Sequence, residues 1–172
     1  FFLFFLGIPR LMVDIDLAYL PVEDRDASLI AIDTALEAIT ADIVRHIPRV
    51  GVKASVLRGT SKRFKLLVWQ GDTSVKIEVT PVLRGSVYPA EVRQLSARAI
   101  KIFGFARMAL LSFEDLYAGK ICAALDRQHP RDLYDVYWLL QNEGIDERLK
   151  NAFLVYLMGH NRPIAELLAP QA

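Results

Sequence analysis

Cysteine, net charge and ligand-spaced histidines are what this 172-residue sequence has least of. Cys122 is the single cysteine, so no internal disulfide can form, and a reducing cytoplasm is the compartment that fits best. The 21 basic residues nearly balance the 20 acidic ones, and a net charge of +1 does not by itself predict nucleic-acid binding. His129 has no second histidine at ligand spacing, which argues against a zinc site.

The chain also lacks a long apolar run. Residues 1–6 are continuously apolar, but Gly7 and Pro9 soon interrupt them. A membrane-spanning helix needs about 20 apolar residues, and a secretory signal needs a positive flank and a cleavage site. We therefore expect a cytoplasmic protein without a membrane partner. The abrupt apolar opening further suggests that the natural beginning of the chain is missing.

The composition predicts a packed protein, because 53% of the residues are apolar and 24% are charged. Residues 11–20 read as a buried strand and residues 28–46 as an amphipathic helix. Three further strands, predicted at residues 53–58, 63–69 and 74–82, are separated by glycine-containing turns, which favours an antiparallel meander. Residues 99–105 are ambiguous, with a short strand as one interpretation.

The second half of the sequence is predicted to be helical. Its helix start and stop signals are Ser112, Pro130, Gly144, Asp146 and Pro163. Strands followed by a block of helices indicate an α+β fold, in which a mixed or antiparallel sheet with flanking helices precedes a helical C-terminal subdomain. We place the two domains at residues 1–108 and 109–172.

Acidic residues recur on two of the predicted strands. Asp14 and Asp16 are two residues apart, so alternation places both on one face of the first strand. Their mutual repulsion is relieved by a divalent metal, for which carboxylate oxygens are suitable ligands. If the strands are neighbours, Glu78 adds a third carboxylate and makes a two-metal site possible. The alternatives are a solvated aspartate pair and an ordinary polar strand face, which is the better interpretation of Lys76.

Several motifs together resemble one known family. They are Asp-Ile-Asp-Leu at residues 14–17, Lys-Ile-Glu at residues 76–78, Glu-Asp-Leu-Tyr-Ala-Gly-Lys at residues 114–120 and Pro-Arg-Asp-Leu-Tyr-Asp at residues 130–135. This ordered set, which extends over residues 9–168, resembles the AbiEii/AbiGii toxins. These are nucleotidyltransferases of the polymerase-β-like superfamily, related to the MenT toxins. The resemblance implies a nucleotidyltransferase-like core in the first domain.

The resemblance also implies roles for individual residues. Asp14, Asp16 and Glu78 correspond to the metal ligands, and Lys120 to a lysine that meets the nucleotide phosphates. Asp132 corresponds to a late aspartate close to the site, and Asp135 lies one turn further along the same helix face. Without the family, Lys120 would be read as a solvated lysine and Asp132 as a favourable charge at a helix N-terminus. A further arginine, Arg10, precedes the aspartate strand and is either a phosphate ligand or a surface residue.

The function implied by the resemblance is that of a toxin restrained by a cognate antitoxin. Such an enzyme uses Mg²⁺ to transfer a nucleotidyl group from a nucleoside triphosphate to an acceptor such as tRNA. The sequence departs from the family in lacking a Gly-Gly-Ser/Thr motif ahead of Asp14 and in having Met12 where a serine is usual. The alternative is therefore a truncated, inactive remnant that binds an antitoxin or another protein.

Overall fold

The computed structural model describes residues 14–169, with side chains except at residues 81–83. Contacts between Cα atoms divide the chain into two compact units, and the boundary in the sequence lies between Gly85 and Ser86. We refer to residues 14–85 as the sheet unit and to residues 86–169 as the helical unit. The domain boundary expected after residue 108 stays a prediction.

The sheet unit combines a four-stranded sheet with one long helix. Its elements are β1 (Asp14–Tyr19), α1 (Arg25–His46), β2 (Gly51–Val56), β3 (Arg63–Gln70) and β4 (Thr73–Arg84). The strand order is β1-β4-β3-β2, with β1 parallel to β4 and both other pairs antiparallel. The predicted meander is confirmed. Its β3–β4 turn contains Gly71, whose φ of 56° lies in the left-handed region that glycine tolerates.

One face of this sheet forms the core of the unit. Leu66, Ile77 and Val79 are buried together with Ile32 and Leu36 of α1. The apolar residues recur every second position in the strands and every three to four in the helix, so each element turns one side inward. Complete burial of an aliphatic side chain of this size stabilises a fold by about 1.5–3 kcal/mol. The other face of the sheet carries polar side chains together with the exposed Leu67 and Trp69.

The helical unit contains five helices and a two-stranded antiparallel sheet within the described residues. Its elements are β5 (Glu91–Gln94), α2 (Ala97–Phe103), β6 (Arg107–Leu110), α3 (Phe113–Arg127), α4 (Pro130–Asn142), α5 (Glu147–Met158) and α6 (Ile164–Leu168). The strand interpretation of residues 99–105 is wrong. Ser96 caps α2 by accepting a hydrogen bond from the backbone N–H of Ala99, and Gly104, with φ of 84°, ends it.

Two buried clusters hold the helices of this unit together. One contains Tyr117, Leu139 and Leu149, and the other contains Cys122 and Leu157, with Leu167. The first cluster draws on α3, α4 and α5 and the second on α3, α5 and α6, because apolar residues at helical spacing lie on one side of each helix. Burial raises the pKa of the Cys122 thiol to about 11, as expected of a structural rather than a reactive cysteine.

The predicted helix caps are confirmed. Ser112 and Asp146 accept hydrogen bonds from backbone N–H groups three residues further on, which satisfies donors that the helix itself leaves unpaired. The α+β fold class is also confirmed. Among residues 14–169, no helix combines the length and apolar character needed to cross a membrane.

Candidate functional site

The parallel pairing of β1 with β4 brings together the three acidic residues of these two strands. Asp14 is the register partner of Lys76, and Asp16 is the register partner of Glu78. Register partners on neighbouring strands project to the same side of a sheet. Asp14, Asp16, Lys76 and Glu78 therefore share the face opposite to the one that packs against α1. We call this set the acidic face.

Lys76 bridges two of the three acids. Its Nζ lies 3.3 Å from Oδ2 of Asp14 and 3.3 Å from Oε2 of Glu78. About a third of each carboxylate-bearing side chain is exposed, 34% for Asp14 and 30% for Glu78. Partial burial lowers the pKa of Lys76, but its hydrogen bonds to Asp14 and Glu78 outweigh this and the net pKa is raised. Lys76 is therefore cationic at neutral pH.

The acidic face has the donor chemistry of a site for a hard divalent cation. Carboxylate oxygens are the ligands that Mg²⁺ prefers, although Lys65, the register partner of Glu78 on β3, adds a second lysine to this side of the sheet. Within residues 14–169, however, no three His, Cys, Asp or Glu side chains are grouped closely enough to hold a metal ion. An ammonium group lies between Asp14 and Glu78 instead. The metal-binding role of the three acids stays a prediction.

Lys120, in the helical unit, forms an ion pair inside that unit. Its Nζ donates a hydrogen bond of 2.7 Å to Oδ2 of Asp135, joining α3 to α4. The Asp135 side chain is only 3% exposed, whereas that of Lys120 is 25% exposed. Lys120 is therefore not simply a solvated helix lysine, and its role towards nucleotide phosphates stays a prediction.

Asp132 is paired with a different cation. Nε and Nη2 of Arg127 donate hydrogen bonds of 2.7 and 3.0 Å to its two carboxylate oxygens, a bidentate geometry that only arginine supplies. The Asp132 side chain is 8% exposed. The arrangement places Asp132 in the connection between α3 and α4, and its proposed place near a nucleotide stays a prediction.

The sequence alone does not indicate two of these ion pairs. It predicts Lys76 to be part of an ordinary polar strand face, and it does not indicate Asp135 as the partner of Lys120. The three-residue spacing of Asp132 and Asp135 was the available signal, because it places both carboxylates on the side of α4 that faces α3. Arg10 lies outside the described residues.

Comparison with known proteins extends over the whole chain. A family model described as the nucleotidyl transferase AbiEii toxin of type IV toxin–antitoxin systems matches residues 1–172. A search of curated proteins found no matching relative. The family match includes all four motifs, from the aspartate strand to the Pro-Arg-Asp segment at the start of α4.

Proposed function

Because the chain belongs to the AbiEii family of nucleotidyltransferase toxins of type IV toxin–antitoxin systems, we propose that it transfers a nucleotidyl group from a nucleoside triphosphate to an acceptor. The observation that supports this best is the register of β1 with β4, which aligns Asp16 with Glu78 and Asp14 with Lys76. Three carboxylates on one face of adjacent strands match the needs of metal-dependent phosphoryl chemistry.

Asp14, Asp16 and Glu78 are the residues that would hold Mg²⁺. Bound Mg²⁺ would neutralise phosphate charge and polarise the reacting phosphoryl group. The acids themselves would hold the cation in place, since the side chains of Asp14 and Glu78 are about a third exposed and thus open to solvent. Exposure of this degree also lets ligands enter without unfolding the strands.

Lys120 would contribute positive charge to the triphosphate, with Asp135 holding its ammonium in place. The hydrogen bond from Nζ of Lys120 to Oδ2 of Asp135 fixes the position of this positive charge. Asp135 would thus act as a positioning residue. Asp132 would fix the start of α4 to the end of α3, the helix that carries Lys120, through its paired hydrogen bonds with Arg127.

The partners of the reaction follow from the family. A type IV toxin has a cognate antitoxin, and we propose tRNA as the acceptor of the nucleotidyl group. Arg10 is proposed as a further phosphate ligand. We propose the cytoplasm as the place of action, where nucleoside triphosphate and tRNA are both present.

A second candidate function is an antitoxin-binding or protein-binding module without turnover. The placement of Lys76 favours it, because an ammonium group already neutralises two of the three acids. Calorimetric titration of a nucleoside triphosphate with Mg²⁺ separates the two functions. Binding supports the enzyme, whereas a flat titration supports the module.

Labelled nucleotide transfer to a tRNA pool tests the proposal directly. We expect the activity of the D14N/D16N double variant to be roughly a thousandfold or more below that of wild type, because two of the carboxylates that would bind the cation lose their charge. Asn has nearly the shape of Asp, so the fold should persist and can be checked by circular dichroism. Asp72→Asn, in the exposed β3–β4 turn, is a matched control that should retain activity. Equal incorporation by wild type and the double variant would refute the enzyme.

A further inference from the structure

The acidic face contains its own cation. Lys76 lies on the same strand as Glu78, two residues before it, and opposite Asp14 on the neighbouring strand. The single ammonium group is 3.3 Å from an oxygen of each. Lys76 thus touches two of the three acids that the proposed function assigns to metal.

An ammonium group and a divalent cation compete for the same oxygens. A divalent cation is attracted more strongly to carboxylates, but it is repelled by a positive charge a few ångströms away. A cation that takes Oδ2 of Asp14 or Oε2 of Glu78 must therefore move the Lys76 ammonium away from that oxygen, and a cation on the other carboxylate oxygens is still repelled by it. Lysine can do this at little cost, since its side chain is flexible and a third of it is exposed.

We propose that Lys76 is a built-in counter-ion of the acidic face, which neutralises Asp14 and Glu78 until an incoming divalent cation displaces it. The inference rests on the proposed function, in that it takes these acids to be the metal ligands. It assigns Lys76 a regulatory role at that site. The lysine keeps the acids compatible with the fold without metal and raises the cation concentration at which the site fills.

Titration of Mn²⁺ into the full chain without nucleotide, followed by calorimetry, measures this competition. We expect Lys76→Met to bind Mn²⁺ about tenfold more tightly than wild type, because neither displacement nor repulsion opposes the ion. Lys76→Arg keeps the charge and should bind no more tightly than wild type. Lys53→Met removes one charge from the same face two strands away and should leave the affinity within about twofold.

Thermal melting supplies a second readout that does not depend on calorimetry. Without metal, Lys76→Met should melt below wild type, because the acids are left without their cation. Added Mn²⁺ should raise its melting temperature more than that of wild type. Should this variant fail to fold, Lys76→Gln carries the same expectation and retains a hydrogen-bond donor for the carboxylates.

The outcomes distinguish this inference from the proposed function. Equal Mn²⁺ affinity in wild type and Lys76→Met, with both bound at the acidic face, overturns the role of Lys76 and leaves the metal site intact. Binding that survives in the D14N/D16N variant, or no binding in any variant, overturns both. Tighter binding in Lys53→Met by the same factor would show a general charge effect and also overturn the inference.

Discussion

The acidic residues of the sheet unit and of the helical unit differ in their burial and in their cationic partners. In the sheet unit, Asp14 and Glu78 share one lysine and remain about a third exposed. In the helical unit, Asp132 and Asp135 are almost fully buried, and each has a cationic partner on α3. A buried charge with its own partner is expensive to disturb, whereas a partly exposed charge with a shared partner can exchange it. The comparison separates acids that hold the fold from acids that are available to a ligand.

The buried carboxylate of Asp115 is the extreme case. It is 1% exposed and accepts hydrogen bonds from the backbone N–H groups of Val87 and Tyr88, at 2.7 and 3.0 Å. The hydroxyl of Ser112 donates a third at 2.7 Å. Three donors aimed at one carboxylate fix the segment ahead of β5 to the start of α3. At 1% exposure, the carboxylate is closed to solvent.

The largest loss of stability is expected for Asp115→Ala. Removing the carboxylate leaves buried N–H groups without acceptors, and we expect the free energy of unfolding to fall by about 4 kcal/mol. Urea denaturation measures the change. Glu147→Ala is the control, because its exposed ion pair with Lys150 should contribute less than about 0.5 kcal/mol. A small effect of Asp115→Ala would contradict the idea that the buried acids of the helical unit stabilise the fold.

The next largest effect is expected for Asp135→Asn. The substitution removes the negative charge that Asp135 presents to the partly buried Lys120 ammonium, which should cost about 2 kcal/mol, less than in a fully buried pair. Chemical denaturation measures it. Asp42→Asn disrupts the exposed pair with Arg45 and should cost almost nothing. If both substitutions lower the free energy of unfolding equally, the Lys120–Asp135 pair contributes no more than a surface ion pair. The proposed role of Asp135 in positioning Lys120 would then be wrong.

Asp33 sharpens the comparison, because it lies in the sheet unit but has its own partner. Arg63 donates to Oδ1 of Asp33 from its backbone N–H and from Nε, at 3.0 and 2.6 Å, which lowers the pKa of Asp33 to about 2. A lowered pKa stabilises the fold above the ordinary pKa, and this stability is lost as the pH falls through the lowered value.

Asp33→Asn should therefore destabilise the protein at neutral pH by about 1 kcal/mol, a figure reduced for the partial exposure of Arg63. The difference from wild type should be constant above about pH 4 and shrink towards pH 2. Denaturation curves at several pH values provide the test. A difference that grows on acidification would contradict the assignment of the Arg63 hydrogen bonds as its source.

Much of the fold is predictable from local patterns. The alternation of apolar residues in β3 and β4, the helical spacing in α1 and the capping of α3 by Ser112 each act within a few residues. The helix α2 was not predicted, because its seven residues are too few to show a helical period. The strands β5 and β6 have four residues each, which is also too short for alternation to be decisive.

The candidate site is less predictable, because it depends on pairing between distant segments. Alternation alone places Asp14 with Asp16, and Lys76 with Glu78. That Lys76 bridges to Asp14 depends on the register of β1 with β4, and a shift by one residue would turn one set to the opposite face. The partner of Lys120 likewise depends on how α3 packs against α4.

The smallest effect is expected for Glu78→Gln. Lys76 keeps its contact with Asp14, and the substitution relieves repulsion between Glu78 and its register partner Asp16. We therefore expect the free energy of unfolding to change by less than about 0.5 kcal/mol in either direction. Urea denaturation without metal measures it, with Asp135→Asn as the reference for a fixed pair. A loss of unfolding free energy as large as that of Asp135→Asn would mean that the Lys76–Glu78 contact stabilises the fold. The acids would then be no more available to a divalent cation than those of the helical unit, and the case for a metal site on this sheet would lose its physical basis.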